Sequence, residues 1–466
     1  MVPFPIVPAI PVLRIVSTGD GSHSVAITHN AVSISSFHLV ISEAVMRRSI
    51  TRHFLVPVLS LGLGASLAQG DNWPNWRGPQ LNGVATGEFP TEWSGDKNLK
   101  WKIELPSGGS TPIVWDGRVY VTCGKEGKNV LVALDMDGKS LWEARIGAER
   151  PGKHQKATGA NPSAVTDGEV IAAYFKSGDI AGVDTSGKVL WEKNLQKEYG
   201  EDTLWWDLGT SPVMTAKHVI VTVMQSEPSP SYLVALDKKT GDIAWKVDRN
   251  VPAPKEAAQS YTTPVVLKHN GKEIIVVLGA DHVTAHDAAT GTELWRVGGL
   301  NPEQNGFFRS ISSPVVNNGI VIAPYARGGS LTAIELGGSG DVTKSHVKWS
   351  KGDLSADVPT PVAHDGKVYV ATDKGKVGCR DVASGEEVWT VNLPKNRLAY
   401  SASPVLANGR LYLTREDGTT FVLNAKNGEL VSSNALPQEE KTVATPVFVD
   451  GRVLLRTFEH LYCFGS

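Results

Sequence analysis

The chain has 466 residues, 20% of them charged, and a formal net charge of −2 at neutral pH. That balance excludes a nucleic-acid-binding face built on overall basic charge. The 47 glycines and 13 tryptophans, without long amphipathic helical patterns, exclude a helical domain and point to many short strands joined by tight turns.

Residues 1–45 make no sense as part of an exported leader. They read as a mis-assigned or disordered upstream extension, with Met46 as the expected start. The following stretch, "MRRSITRHFLVPVLSLGLGASLAQG", carries Arg47, Arg48 and Arg52, then an apolar run from Phe54 to Leu63 and the small-x-small site Ser66-Leu67-Ala68. That order is expected of a signal peptide over residues 46–68, and the apolar run is too short to span a bilayer as a mature helix. The chain is therefore expected to be exported, periplasmic or secreted, with no transmembrane segment in its mature part. No Cys follows the apolar run, so a lipid anchor is not expected there.

Residues 69–97 form a lead rich in Trp and Pro. Its core, "NWPNWRGPQLNGVATGEFPTEW", holds three Trp and three Pro and suits neither a helix nor a regular strand. An extended clamp on the domain that follows is expected. Next comes "NLKWKIELP" (Asn98 to Pro106), one strand with a Trp and no repeat unit before it.

From there the chain repeats. A Pro opens an apolar strand at positions 112, 162, 212, 264, 314, 361, 404 and 446. A spacing of about 40 to 50 residues is that of propeller blades. Each unit gives a short strand, an Asp-Gly or Asn-Gly turn, a second strand, a third ending in Ala-x-Asp, a Gly-containing turn and a fourth strand with Trp. The Trp column is Trp142, Trp191, Trp245, Trp295, Trp349 and Trp389, with Ser432 in the seventh unit, where a looser seam is expected. The eighth unit stops after its third strand, and Trp101 supplies the missing fourth. The fold class is thus all-β: an eight-bladed β-propeller of four-stranded antiparallel blades over residues 98–466, closed by an N-terminal outer strand on the C-terminal blade. Cys379 and Cys463 occupy the slot held elsewhere by Ala133, Ala235, Ala285 and Ala333, so they read as small buried residues. Nothing argues for a disulfide at Cys123.

The pattern "ALDKKTGDIAW" (Ala235 to Trp245) resembles the tryptophan-docking repeat of quinoprotein dehydrogenases, which makes the chain similar to the PQQ-like β-propeller family. That resemblance implies that each Trp packs between neighbouring blades. The Trp-Arg-Gly-Pro opening resembles that of a bacterial group of exported PQQ-like propellers. The eight-blade count is similar to the propeller factor of the outer-membrane assembly machine, a lipoprotein. Alcohol dehydrogenases of the quinoprotein type use an adjacent Cys pair and a Ca²⁺ held by oxygen ligands. This sequence has no such pair, and no Ca²⁺ ligand set maps onto it. No cofactor and no catalytic or metal-binding residue is therefore assigned. PQQ with Ca²⁺ belongs only to the alternative reading, a dehydrogenase with a degenerate site.

In a propeller, the loops from one blade's outer strand to the next blade's inner strand gather on one face. Here they bring His154, Trp205, Trp206, Asp207, Tyr261, Phe307, Arg309, Arg397 and Tyr400 together as a candidate ligand funnel. The competing reading is that the aromatics plug the channel. Asp207 reads as a turn or cap residue, and His282 and His286 as ordinary strand residues. The expected role is a non-catalytic binding or scaffolding module, monomeric, whose partner is an envelope protein, peptide or glycan and not a nucleic acid.

Overall fold

The computed structural model describes residues 13–17, 23–27 and 71–466. The leader-like stretch lies outside the described residues. In the N-terminal unit, Leu13–Ser17 pairs antiparallel with His23–Ile27. All that follows concerns the larger unit.

Eight small antiparallel sheets form a β-propeller. The first blade runs outward from its inner strand Ile113–Trp115 through Arg118–Lys125 and Lys128–Asp135 to its outer strand Ser140–Ala148. The same order recurs in every blade. The second and third strands are apolar on both faces because a blade lies on each side: Val170–Tyr174 is buried throughout. Outer strands reach solvent, and Ser140–Ala148 is largely exposed along one edge. The first turn of most blades has positive φ at both central residues, as at Asp116-Gly117, Asn318-Gly319 and Asp365-Gly366. This geometry matches the twist of the strands that it joins. At Asp167-Gly168 only the Gly is positive.

Closure occurs where the sequence places it. Leu99–Glu104 pairs with the last strand, His460–Gly465, with Trp101 opposite Cys463. The Cys therefore serves as the small residue facing a Trp, as Ala133 faces Trp142 and Cys379 faces Trp389. All three cysteines are free and buried. Six docked indoles also donate to a turn carbonyl of the next blade, among them Trp142 to Thr185 at 3.1 Å, Trp191 to Lys238 at 2.8 Å, and Trp389 to Ala425 at 3.0 Å. The turn Gly is required because its neighbour's indole lies flat on it. A Cβ on Gly241 would come within 2.6 Å of the Trp191 ring.

Two sequence expectations change. The second inner strand is Val165–Thr166, and Ser163 and Ala164 occupy the positions of Thr111 and Pro112. Pro162 is thus one place out of register. The Ser432 seam also does not lack its aromatic packing. Across the strand pair, Val422 stands opposite Ser432, and the vacant Trp place is served from the lead. Trp93, 3% exposed, stacks on Phe464 at 5.1 Å and Tyr412 at 6.4 Å. Its backbone N–H donates to Asn434 Oδ1 at 3.1 Å, and Asn434 returns a bond to the Thr91 carbonyl at 2.9 Å. The Ser432 hydroxyl donates to that same carbonyl.

A polar clasp secures the closing strand. Glu440 accepts from Lys102 Nζ at 2.8 Å, Thr457 Oγ1 at 2.7 Å and Gln438 Nε2 at 2.8 Å, and from the Tyr462 hydroxyl. Burial alone would raise its pKa, but these donors outweigh it and bring the group down to about 2.

Trp93→Ala is expected to cost about 3–5 kcal/mol, as large buried aromatic truncations do; a denaturant midpoint matching the parent would show that the seam is held otherwise. Because its folded pKa is depressed, Glu440 adds stability that is fully present above its ordinary value of 4.5 and is lost as pH falls towards 2. Glu440→Gln should therefore destabilise by about 2–3 kcal/mol at pH 7. It should also flatten the acid limb of the stability curve, which thermal melts from pH 7 down to pH 2 would read.

Candidate functional site

Two residues before each inner strand stands a Ser or Thr, and these eight residues are bonded in a circle. The Thr111 N–H donates to Ser163 Oγ at 2.9 Å, Ser163 to Ser211 at 2.9 Å and Ser211 to Thr263 at 3.0 Å. Thr263 continues to Ser313 at 3.0 Å, Ser313 to Thr360 at 2.9 Å and Thr360 to Ser403 at 2.9 Å. Ser403 donates to Thr445 at 3.2 Å, and Thr445 closes the circle on Thr111 at 3.0 Å. All eight side chains line a cup of about 220 Å³ that opens towards the loop-rich face.

The lead closes the far end of the cup. Trp73 bridges Val114 and the Pro74 carbonyl accepts from Thr166, both on inner strands beyond the circle. Trp76 then lines the cup from below. The guanidinium of Arg77 sits 5.6 Å from the Trp76 ring centre and donates to the carbonyls of Pro361 at 2.8 Å and Pro404 at 2.7 Å. Gly83 makes room for it, since a Cβ there would overlap the guanidinium at 2.1 Å. Arg77 has no carboxylate partner among the described residues, and burial lowers its pKa to about 9.

The funnel candidates take different places. Trp206, Asp207 and Tyr261 line the cup. His154 meets Trp206 edge-on at 5.5 Å. Trp205 and Phe307 are 51% and 56% exposed on their loops, and Trp206 is 46% exposed. Arg309 is buried beside the wall: it pairs with Glu256 at 3.5 Å and Asp357 at 3.2 Å, while Glu256 accepts from Trp206 Nε1 at 2.8 Å. Arg397 is exposed on the loop between the sixth and seventh blades. Tyr400 does not reach the cup. Its ring lies in the core of those two blades, 6.2 Å from Phe421.

Asp207 anchors structure. Its carboxylate accepts the backbone N–H groups of Lys153 and His154 at 2.9 Å and pairs with buried Lys176. Burial would raise its pKa, and these partners more than offset that and hold it below the ordinary value. Tyr261 is pushed well above the usual phenol range by burial. His286 is an interior residue, bonded to Thr284 and the Gly291 carbonyl, and burial lowers its pKa to about 4. Sequence reasoning missed the hydroxyl circle, Trp76, Arg77 and the ion-pair partners Lys176, Glu256 and Asp357. The circle alone had a visible signal, a Ser or Thr in front of seven of the eight strand-opening residues that are Pro.

Comparison with known proteins fits this architecture. The PQQ_2 family model, described as outer membrane protein assembly factor BamB, matches residues 91–229, 209–343 and 339–459, and the chain belongs to that family of PQQ-like propellers. The outer membrane protein assembly factor BamB of Yersinia pestis is 22% identical over 354 residues, 73% of this chain and 80% of that protein. BamB from Moraxella catarrhalis superposes with a TM-score of 0.54 at 14% identity, covering 78% of this chain and 98% of the other. The quinohemoprotein alcohol dehydrogenase of Comamonas testosteroni gives 0.59 at 13% identity, covering 86% and 82%. At such identities the two structures share the fold alone.

Removing the Asp207 charge leaves Lys176 buried without its counter-charge. Asp207→Asn should therefore cost about 3–5 kcal/mol. Trp206→Ala, at a half-exposed site, should stay within about 1 kcal/mol of the parent. Denaturation of the two variants side by side checks this, and a reversed order would make Trp206 the structural plug.

Proposed function

We propose that this chain is an exported, non-catalytic propeller that holds another protein of the cell envelope on its loop-rich face. The observation that carries this reading is the exposed trio Trp205, Trp206 and Phe307 at the open end of a cup whose charged wall residues are bonded to one another. Exposed aromatics over a rigid, internally satisfied frame are the usual anchors of protein interfaces. The relatives named as assembly factors support a role in envelope protein assembly. The leader-like residues 46–68 support export. Among the described residues no helix is long and apolar enough to cross a membrane.

The cup does not fit a quinone held through Ca²⁺. Its only lining carboxylate, Asp207, is committed to Lys176 and two N–H groups. No Cys lines it, and no group of three His, Cys, Asp or Glu side chains among the described residues converges on a metal position. That donor set supports a binding role over a quinone-dependent one.

The test compares the parent with Trp205→Ala/Phe307→Ala in cross-linking to envelope extracts, with melting curves alongside. Cross-linked partners should drop at least tenfold in the double variant while its melting temperature holds. Equal cross-linking by both would remove the loop-rich face from the interaction. Dye-linked oxidation of ethanol or glucose by protein given PQQ and Ca²⁺ should not exceed a protein-free control, and sustained turnover would restore the dehydrogenase reading.

A further inference from the structure

Each hydroxyl of the inner circle accepts a hydrogen bond from its neighbour's backbone N–H, so one lone pair is spent. Its own proton is a separate matter. None of the eight hydroxyls donates to a protein acceptor among the described residues, although each is nearly buried. A buried hydroxyl favours an acceptor for its proton, and the one space that all eight share is the cup. The cup is therefore lined by donors. The polar groups around them are already engaged: Asn161 with Thr158 and Leu208, Tyr261 with Gln259, Ser401 with Glu416 and Asp207 with Lys176.

The charge beneath has one sign. Arg77 is buried and meets only carbonyl oxygens. Pro361 and Pro404, which accept from it, directly follow Thr360 and Ser403 in the chain. The uncompensated cation thus lies under one arc of the circle. Across the cup stand the aromatic rings of Trp206 and Tyr261, with Trp76 between as the floor.

We infer that the cup receives a carboxylate group, bound by the Thr360 and Ser403 hydroxyls above Arg77, with the apolar remainder of the ligand lying over Trp76 towards Trp206 and Tyr261. This rests on the reading of the loop-rich face as a binding face and names the chemistry that enters its centre. Two oxygens with four acceptor sites match a small group of hydroxyl donors, and a cavity of about 220 Å³ holds one terminal residue or one small acid. The carboxylate belongs either to the end of a peptide chain or to a free organic acid.

The experiment is calorimetric titration of the purified protein at neutral pH with Ala-Ala-Leu as free acid, the same tripeptide as its C-terminal amide, and 4-methylvalerate. The free acid should bind at least tenfold more tightly than the amide. Tighter binding of the tripeptide than of 4-methylvalerate assigns the site to chain ends, and equal binding assigns it to small acids; both support the carboxylate. Ser403→Ala should weaken the acid about tenfold, and Ser403→Thr, which keeps the hydroxyl, should restore it. Melting curves of both variants separate lost binding from lost folding, and Thr360→Ala provides a second probe of the same arc. Equal affinity for acid and amide, or no heat from either acid at millimolar concentration, overturns the inference. If cross-linking through Trp205 and Phe307 persists in that case, only the carboxylate is wrong; if it fails too, the face itself is not the binding surface.

Discussion

Eight backbone N–H groups, each donating to the side-chain oxygen of a Ser or Thr in the next blade, run head to tail round the axis. Each bond contributes about 1 kcal/mol net to folding. Their arrangement gives them more weight than that figure. The inner strands crowd together at the axis, and a buried backbone N–H there needs a partner. Replacing one hydroxyl leaves a buried donor in the neighbouring blade without a partner. In seven blades the next residue is Pro, which fixes φ and brings no second N–H to the crowded centre. The circle thus sets the angular place of every blade, and the outer Trp docking keeps the same spacing at larger radius.

The repeat is nevertheless incomplete at one seam and open at one end, and the lead serves both. Trp93 supplies the aromatic that the Ser432 blade lacks, reaching it from more than three hundred residues away in sequence. Trp76 and Arg77 close the channel from below. Val84–Ala85 adds a short parallel strand to the inner strand Val405–Ala407. Without the lead the ring would keep its blades but lose its floor and the packing at its least regular seam.

The architecture was legible because it is periodic. The Asp-Gly turns, the Ala-x-Asp strands and the lone Trp101 strand each carry a local signal, and a ring needs the same signal eight times. The slip at Pro162 shows the limit of that reading: one Pro displaced by a residue looks as good in sequence as one in register, and only the hydrogen bond to Ser163 settles it. The site was less legible because its character depends on partners distant in the chain. Arg309 and Asp207 look like free charges beside aromatics until Glu256, Asp357 and Lys176 are placed against them. Tyr400 sits in a loop like the others, yet its ring turns into the core. Ser432 looked like a defect because its compensating residue lies outside the repeat.

The central chemistry follows from what the frame has already used. Carboxylates and cations at the cup wall are paired with one another, the backbone N–H groups of the circle are spent on hydroxyl oxygens, and the buried phenol of Tyr261 is held far from titration near neutral pH. Asp207 is held ionised below the ordinary carboxylate range. Acid–base catalysis needs a group able to gain and lose a proton near the working pH, and neither of these meets that need. What the frame has not used is a circle of hydroxyl protons, the positive charge of one buried guanidinium bonded only to carbonyls, and a set of aromatic faces. Those groups attract acceptors and apolar surface without changing their own charge. The propeller scaffold is shared with quinone-dependent enzymes, and the groups left at the centre of this one favour the proposed binding role.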